Sequence, residues 1–311
     1  MSAVGPRWLP FAALMVIGAA WGATQPMSKI AVSEGYRHFG LLFWQLALGA
    51  VILRTIMVFR GTTLSLRPEH LARYLLIALL GSVLPGIASY SAAAHLPSGV
   101  LSILLSSVPM LAFPVALALG LERFALRRLL GLSLGMLGVA LLILPETSMP
   151  RAVQLTWVPI ALLSSLCYAF EGNLVAKIGR GGIGPVALLA GASLVGAVIC
   201  LPLALLTGQF IDPRGPWGAP DYALLTSSVL HAGAYTGYVW LVGLAGSVFA
   251  VQVSYFVTLF GVGWAMLILG EGYGGWIWTA LALMLGGMAL VQPRLQALAP
   301  PPPSGQNVEP Q

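Results

Sequence analysis

Charge is what this chain has least of. Only 8% of its 311 residues are Asp, Glu, Lys or Arg, while 58% are hydrophobic. Ordinary soluble domains carry about 25% charged residues. The shortage excludes a water-soluble fold of this size, which could not hide so much apolar surface. Cysteine is nearly missing too: Cys167 and Cys200 both lie in apolar runs and read as small core residues without a disulfide. No GxxxxGK[ST] occurs, which excludes a P-loop pump, and neither HExxH nor paired aspartates mark an intramembrane hydrolase. The net charge of +6 is scattered among short loops, so it reads as membrane topology and not as a nucleic-acid surface.

What is there is a series of apolar runs separated by short polar or Gly/Pro breaks. They predict ten spans near 8–31, 39–59, 71–95, 97–120, 126–145, 157–178, 184–207, 221–244, 246–269 and 274–292. Each is close to the ~20 residues that cross a bilayer. The expected fold is an all-α polytopic membrane protein. "HLPSG" (95–99) and "LAGS" (244–247) are so short that the spans on either side form hairpins. The Pro-rich tail, 298–311, cannot bury a core and is expected to be disordered. No cleavable signal stands out before the first span. With the N-terminus inside, eleven Lys and Arg residues fall on the cytoplasmic side and four outside, so both termini are expected in the cytoplasm.

The chain also repeats itself. A shift of 148 sets "WGATQPMSKIA" (21–31) over "AFEGNLVAKIG" (169–179), so Gln25 meets Asn173 and Lys29 meets Lys177. A shift of 149 aligns Glu122 with Glu271, Gly138 with Gly287 and Ala140 with Ala289, while Gly120 and Gly270 are one residue out. The repeats would be 1–148 and 149–297. Five spans each is an odd number, so the halves should face opposite ways across the membrane. Inverted repeats of this kind are a transporter device.

Taken together, the ten spans, Trp21–Gly22 and Lys29 in the first, the tight third-to-fourth turn and Gly120-x-Glu122 resemble the EamA-type drug/metabolite transporters. The similarity covers nearly the whole chain except the tail. It implies a central cavity lined by spans one to four and six to nine, with five and ten peripheral. It also implies export of small metabolites, with bacterial amino-acid exporters, aromatic ones included, among the similar proteins. Two departures stand out: Trp21 has no tryptophan counterpart in the second repeat, and "GEGY" (270–273) replaces "LERF" (121–124).

Candidate binding residues are the polar and aromatic groups inside the spans: Trp21, Gln25, Trp44, Gln45, Tyr90, Glu171, Asn173, His231, Tyr235, Tyr238, Gln252 and Tyr255. Glu171 has three readings. It binds a substrate ammonium group, it is a protonation site coupled to transport, or it is a structural residue bonded to a neighbouring helix. His231 is either a structural imidazole or a site residue, and Tyr235 at i+4 and Tyr238 at i+7 share its stripe. The serines read as interhelical glue. Trp8, Trp276 and Trp278 read as interfacial anchors, and Glu34, Asp212 and Glu271 as solvated ends.

The expected function is transport of an amino acid or similar metabolite by alternating access, with pivots at Pro26, Pro85–Gly86 and Pro109. The expected location is a bacterial inner membrane. Partners are the solute and the lipid bilayer, a monomer is the expected unit, and no cofactor or metal is expected. The alternatives are proton-antiport export of drugs or other amphipathic metabolites, a channel, and an intramembrane enzyme.

Overall fold

A computed structural model of the protein describes residues 8–143, 151–245, 250 and 252–291. Among them the chain forms ten helical rods and no strand. In order these are α1 Leu9–Ser33, α2 His38–Phe59, α3 Pro68–Ala93, α4 Ser98–Ala118 and α5 Leu126–Ile143. The second set is α6 Arg151–Ile178, α7 Pro185–Leu206, α8 Ala219–Ala245, α9 Val253–Leu269 and α10 Gly275–Val291. Five segments are long and apolar enough to cross a membrane on length and composition: α2, α3, α4, α7 and the Thr156–Ile178 part of α6. Helices α9 and α10 are equally apolar but have only 17 residues each. The predicted 244–247 joint and the tail lie outside the described residues, whereas the 95–99 joint is the expected tight turn.

Two rods bend where the sequence carries proline. In α3 a π turn occupies Leu79–Val83, just before Pro85. Proline has no N–H for the carbonyl four residues back and crowds it, and one wider turn absorbs that conflict. In α4 the helix is interrupted at Ser106–Ser107, ahead of Pro109. There Ser106 and Ser107 donate their hydroxyls back to the carbonyls of Ile103 and Leu104 at 2.6 and 2.7 Å.

Packing follows a rule: most of the principal pairings survive when every helix number is advanced by five. Helix α1 packs on α8 and α9, and correspondingly α6 packs on α3 and α4. Helix α2 packs on α8 as α7 packs on α3, while α2–α7, α4–α9 and α5–α10 pair with their own counterparts. Each set of five is thus woven into the other. The rule fails at weaker contacts, such as α4 on α10, and at one more that involves α1. Helix α1 also packs on α3 and α4, but α6 has no comparable packing on α8 or α9 among the described residues.

Small residues set the closest crossings, as lipid-embedded helices require. A methyl group on Gly22 of α1 would stand 2.8 Å from the Gly261 nitrogen and 2.9 Å from the Val257 oxygen of α9. Gly120 (φ +70°) and Gly270 (φ +66°) end α4 and α9 in the left-handed conformation that glycine tolerates. They are therefore structural equivalents, and the one-residue slip falls in the turns after them. The outer surface is apolar: Phe59, Leu206 and Leu267 are 87%, 85% and 78% exposed, as suits contact with lipid tails. Trp8, Trp276 and Trp278 are also exposed, at helix ends, where interfacial anchors belong.

Candidate functional site

Where α1 meets α8, four of the expected residues come together. The Trp21 indole N–H donates to His231 Nδ1 at 3.2 Å, across 210 residues of sequence. Nδ1 is therefore an acceptor, and a neutral His231 ring carries its proton on Nε2. The Trp21 ring also meets Tyr235 edge-on at 6.5 Å and Tyr238 at 5.8 Å, centroid to centroid. The i, i+4, i+7 stripe on α8 thus faces one tryptophan, giving a box of aromatic faces with a polar rim.

Glu171 stands on α6. Its side chain lies against Gly81 in the π turn of α3, so close that a Gly81 methyl would be 3.2 Å from its Cγ. The residue is half-buried, and among the described residues no donor stands within hydrogen-bonding or ion-pairing distance of its carboxylate. The Gly81 carbonyl beside it lacks the usual α-helical donor, because residue 85 is proline. Helix α1 packs on both α8 and α3, and α3 carries the π turn against which Glu171 of α6 lies.

The remaining expected residues divide. Tyr90 donates its hydroxyl to Gln45 Oε1, joining α3 to α2. Trp44 donates its indole N–H to the Ile211 carbonyl at 2.9 Å and packs on Phe43 and Phe210, so it anchors the segment after α7. Asn173 is likewise committed. Its amide donates to Ala112 O of α4 at 3.0 Å and to Ala169 O at 2.8 Å. Gln25 is half-buried on α1, one turn beyond Trp21, and Gln252 stands at the start of α9. Tyr255 is half-buried in the first turn of α9. Ser89 and Ser164 do bridge α3 and α6, at 2.8 Å.

One expectation is corrected. Glu271 is not a solvated end but a helix cap. Its two oxygens accept the backbone N–H groups of Ser98 (2.8 Å) and Gly99 (3.2 Å) at the start of α4, and Tyr273 donates its hydroxyl to it. Four free N–H groups and the positive end of the helix dipole favour a carboxylate there. From the other side of the same turn, Lys29 donates to the carbonyls of Ala93 (2.7 Å) and Leu96 (3.1 Å), at the negative end of α3. The α3–α4 turn is thus clamped by α1 and by the α9–α10 loop together. The counterparts behave differently: Glu122 pairs with Arg128 at 2.9 Å, and Lys177 donates to Leu119 O at 3.3 Å. Asp212 and Glu34 are exposed as expected, and Arg214 holds the Asp212 carboxyl down at about 2. Nearby, Tyr36 donates to Asp221 at 2.7 Å; burial, then that bond, push its hydroxyl up to about 12.

Two matched sets of apolar helices, interleaved and holding polar aromatic groups between them, describe a membrane carrier. The chain belongs to the EamA-like transporter family, which matches it twice, over residues 8–144 and 155–292. It is a membrane transporter of small metabolites. It is 24% identical over 292 residues to the uncharacterized inner membrane transporter YedA of Escherichia coli strain K12, covering 90% of both chains. The same figures hold for YedA of Escherichia coli O157:H7. In fold it resembles a solved crystal structure at a TM-score of 0.63, with 18% identity, over 90% of this chain and 96% of the other.

Proposed function

We propose that the protein exports a small amphipathic metabolite, with amino acids the first class to test, by alternating access across a bacterial inner membrane. All ten helices span the bilayer in this reading. Residues 1–148 and 149–297 form two inverted five-helix halves, and both termini are cytoplasmic. The observation that carries it is the gathering of Trp21, His231, Tyr235 and Tyr238 between α1 and α8, with the unpartnered Glu171 of α6 set separately against the π turn of α3. Such groups inside lipid are costly unless they face a polar interior. Gln25, Gln45 and Tyr90 flank that region. Trp44 and Asn173 tie neighbouring segments together.

Alternating access draws support from the broken packing rule. Helix α1 packs on α3 and Lys29 bonds the turn, while among the described residues α6 shows no comparable packing on α8. We read this as a carrier shut on the outer side and open on the inner. The runner-up, proton-antiport export of drugs or other amphipathic metabolites, draws on the same unpartnered Glu171.

Counterflow decides the matter. Liposomes holding the purified protein and preloaded with unlabelled amino acid should accumulate the labelled form with no ion gradient. Accumulation only when a proton gradient is imposed would favour the antiporter. Failure of every amino acid and amphipathic amine would end the carrier reading.

A further inference from the structure

Helices α1 and α8 lie in the two separate stretches that match the family, and a hydrogen bond crosses their seam, from the Trp21 N–H to His231 Nδ1 at 3.2 Å. An indole can only donate. The bond therefore exists only while Nδ1 keeps its lone pair, and so only while the ring is neutral. His231 is half-buried, so water can deliver a proton to it. The seam around the bond is tight. The Trp21 and His231 rings lie 6.0 Å apart, centroid to centroid, and a methyl group on Gly237 would stand 3.1 Å from Ile17 Cγ1, one turn from Trp21.

Helix α8 packs chiefly on α1 and α2, and lightly on α7. Lys29, farther along α1, is bonded at the α3–α4 turn. On α2, His38 lies 3.5 Å from Ser91 and Arg54 is exposed. Helix α7 has no Asp, Glu, Lys, Arg or His, and its Cys200 is buried. On α8 itself Asp221 accepts from Tyr36, and Tyr235 and Tyr238 share the His231 stripe. The opposite charges of Glu171 and Arg180 are felt one turn along that stripe, at Tyr235. The described ion pairs, at Glu69, Glu122 and Asp212, leave the His231 ring out.

We infer that His231 is a proton-binding site that unlatches the α1–α8 seam, α1 parting from α8 when the ring is charged. The proton comes from water and adds to the Nδ1 lone pair. The ring then has two N–H groups and a positive charge, and it offers the Trp21 indole no acceptor. A donor stripped of its partner inside a bundle must find water or move, and Trp21 moves with α1. Loss of the proton restores the acceptor and the seam. Imidazole titrates near neutral pH, so the two forms exchange under ordinary conditions.

This rests on the carrier reading only for its meaning in transport; the latch itself is measured on the purified protein in lipid. Nitrogen resonances of the histidine rings should show His231, assigned by its loss in His231→Asn, as the Nε2–H form at about pH 8 and doubly protonated at about pH 5. The seam is measured by cross-linking Ile17→Cys to Gly237→Cys in a chain whose Cys167 and Cys200 are replaced. The Asn oxygen in His231→Asn keeps an acceptor for Trp21 and does not titrate. Dividing by the rate in that background therefore cancels the thiols' own titration. From about pH 8 to about pH 5 the ratio should fall about tenfold or more. Trp21→Phe has no N–H to lose and replaces His231→Asn as the reference if the latter does not fold. The inference is overturned if His231 carries its proton on Nδ1, or if it does not titrate across this range. A level cross-linking ratio also overturns it, as expected if the imidazolium simply settles on the Trp21 ring face. A pH-dependent latch without counterflow of any solute would overturn the carrier reading and leave the latch standing.

Discussion

Gly22→Ala should lower the thermal midpoint of the purified protein by several degrees and remove most of its transport. The added methyl would press on the backbone of α9 at Gly261, Val257 and Phe260. Backbone cannot rotate away as a side chain can, so α1 and α9 must separate. Overpacking of this kind costs about 1–3 kcal/mol, and α1 also carries Trp21. Gly233→Ala is the control: it is a helical, exposed glycine on α8 with nothing within 4 Å of an added methyl. That variant should be neutral or slightly stabilising, because alanine favours helix more than glycine does. Equal behaviour of the two variants would mean that the α1–α9 crossing is not the tight one described.

The second large effect is expected at Glu271. Glu271→Ala removes the acceptor for two N–H groups at the start of α4 and for the Tyr273 hydroxyl. Losing a helix cap costs about 0.5–2 kcal/mol. Under the alternating access proposed above, that loss falls on the form in which the cap exists, proposed to be the one shut on the outer side. A cost near the middle of that range moves the equilibrium roughly tenfold. With Cys167 and Cys200 replaced, a cysteine at Gln25 should then react about tenfold faster with a membrane-impermeant thiol reagent added outside. Lys29→Ala should act in the same direction, because Lys29 holds the other end of the turn. An unchanged rate in both variants would show that this clamp does not hold the outer side shut.

Much of the architecture is written in the sequence. The ten rods follow from apolar runs, since a chain in lipid must satisfy its backbone within each helix. Even the distortions are marked: Pro85 and Pro109 announce the π turn and the break in α4 to within a few residues. The α8 stripe of His231, Tyr235 and Tyr238 follows from helical spacing alone. Their partner does not, because Trp21 is brought to them by tertiary packing from the far end of the chain. Asn173 looked as much a site residue as Glu171, yet its amide is spent on Ala112 O, and no local pattern separates the two. Glu271 misled for the same reason. A carboxylate two residues past a helix end usually meets water, and only the docking of the α9–α10 loop on α4 gives it backbone donors. The Tyr two residues on and the glycine stop before it were the signals available. Gly81 was legible in principle, four residues before a mid-helix proline.

The interleaved packing also has a consequence for how the protein is made. Helix α1 emerges first, but its principal partners, α8 and α9, follow some two hundred residues later, as the 210-residue span from Trp21 to His231 measures. At about 5–20 residues per second of synthesis, α1 waits roughly 10–40 s in the bilayer before the surface it fits exists. Helix α5 waits for α10 across about 150 residues, a shorter interval. Neither half can mature as a unit while the ribosome works, so the bundle closes only near the end of translation. Until then the polar groups of the nascent helices must be sheltered by lipid headgroups, water or the insertion machinery.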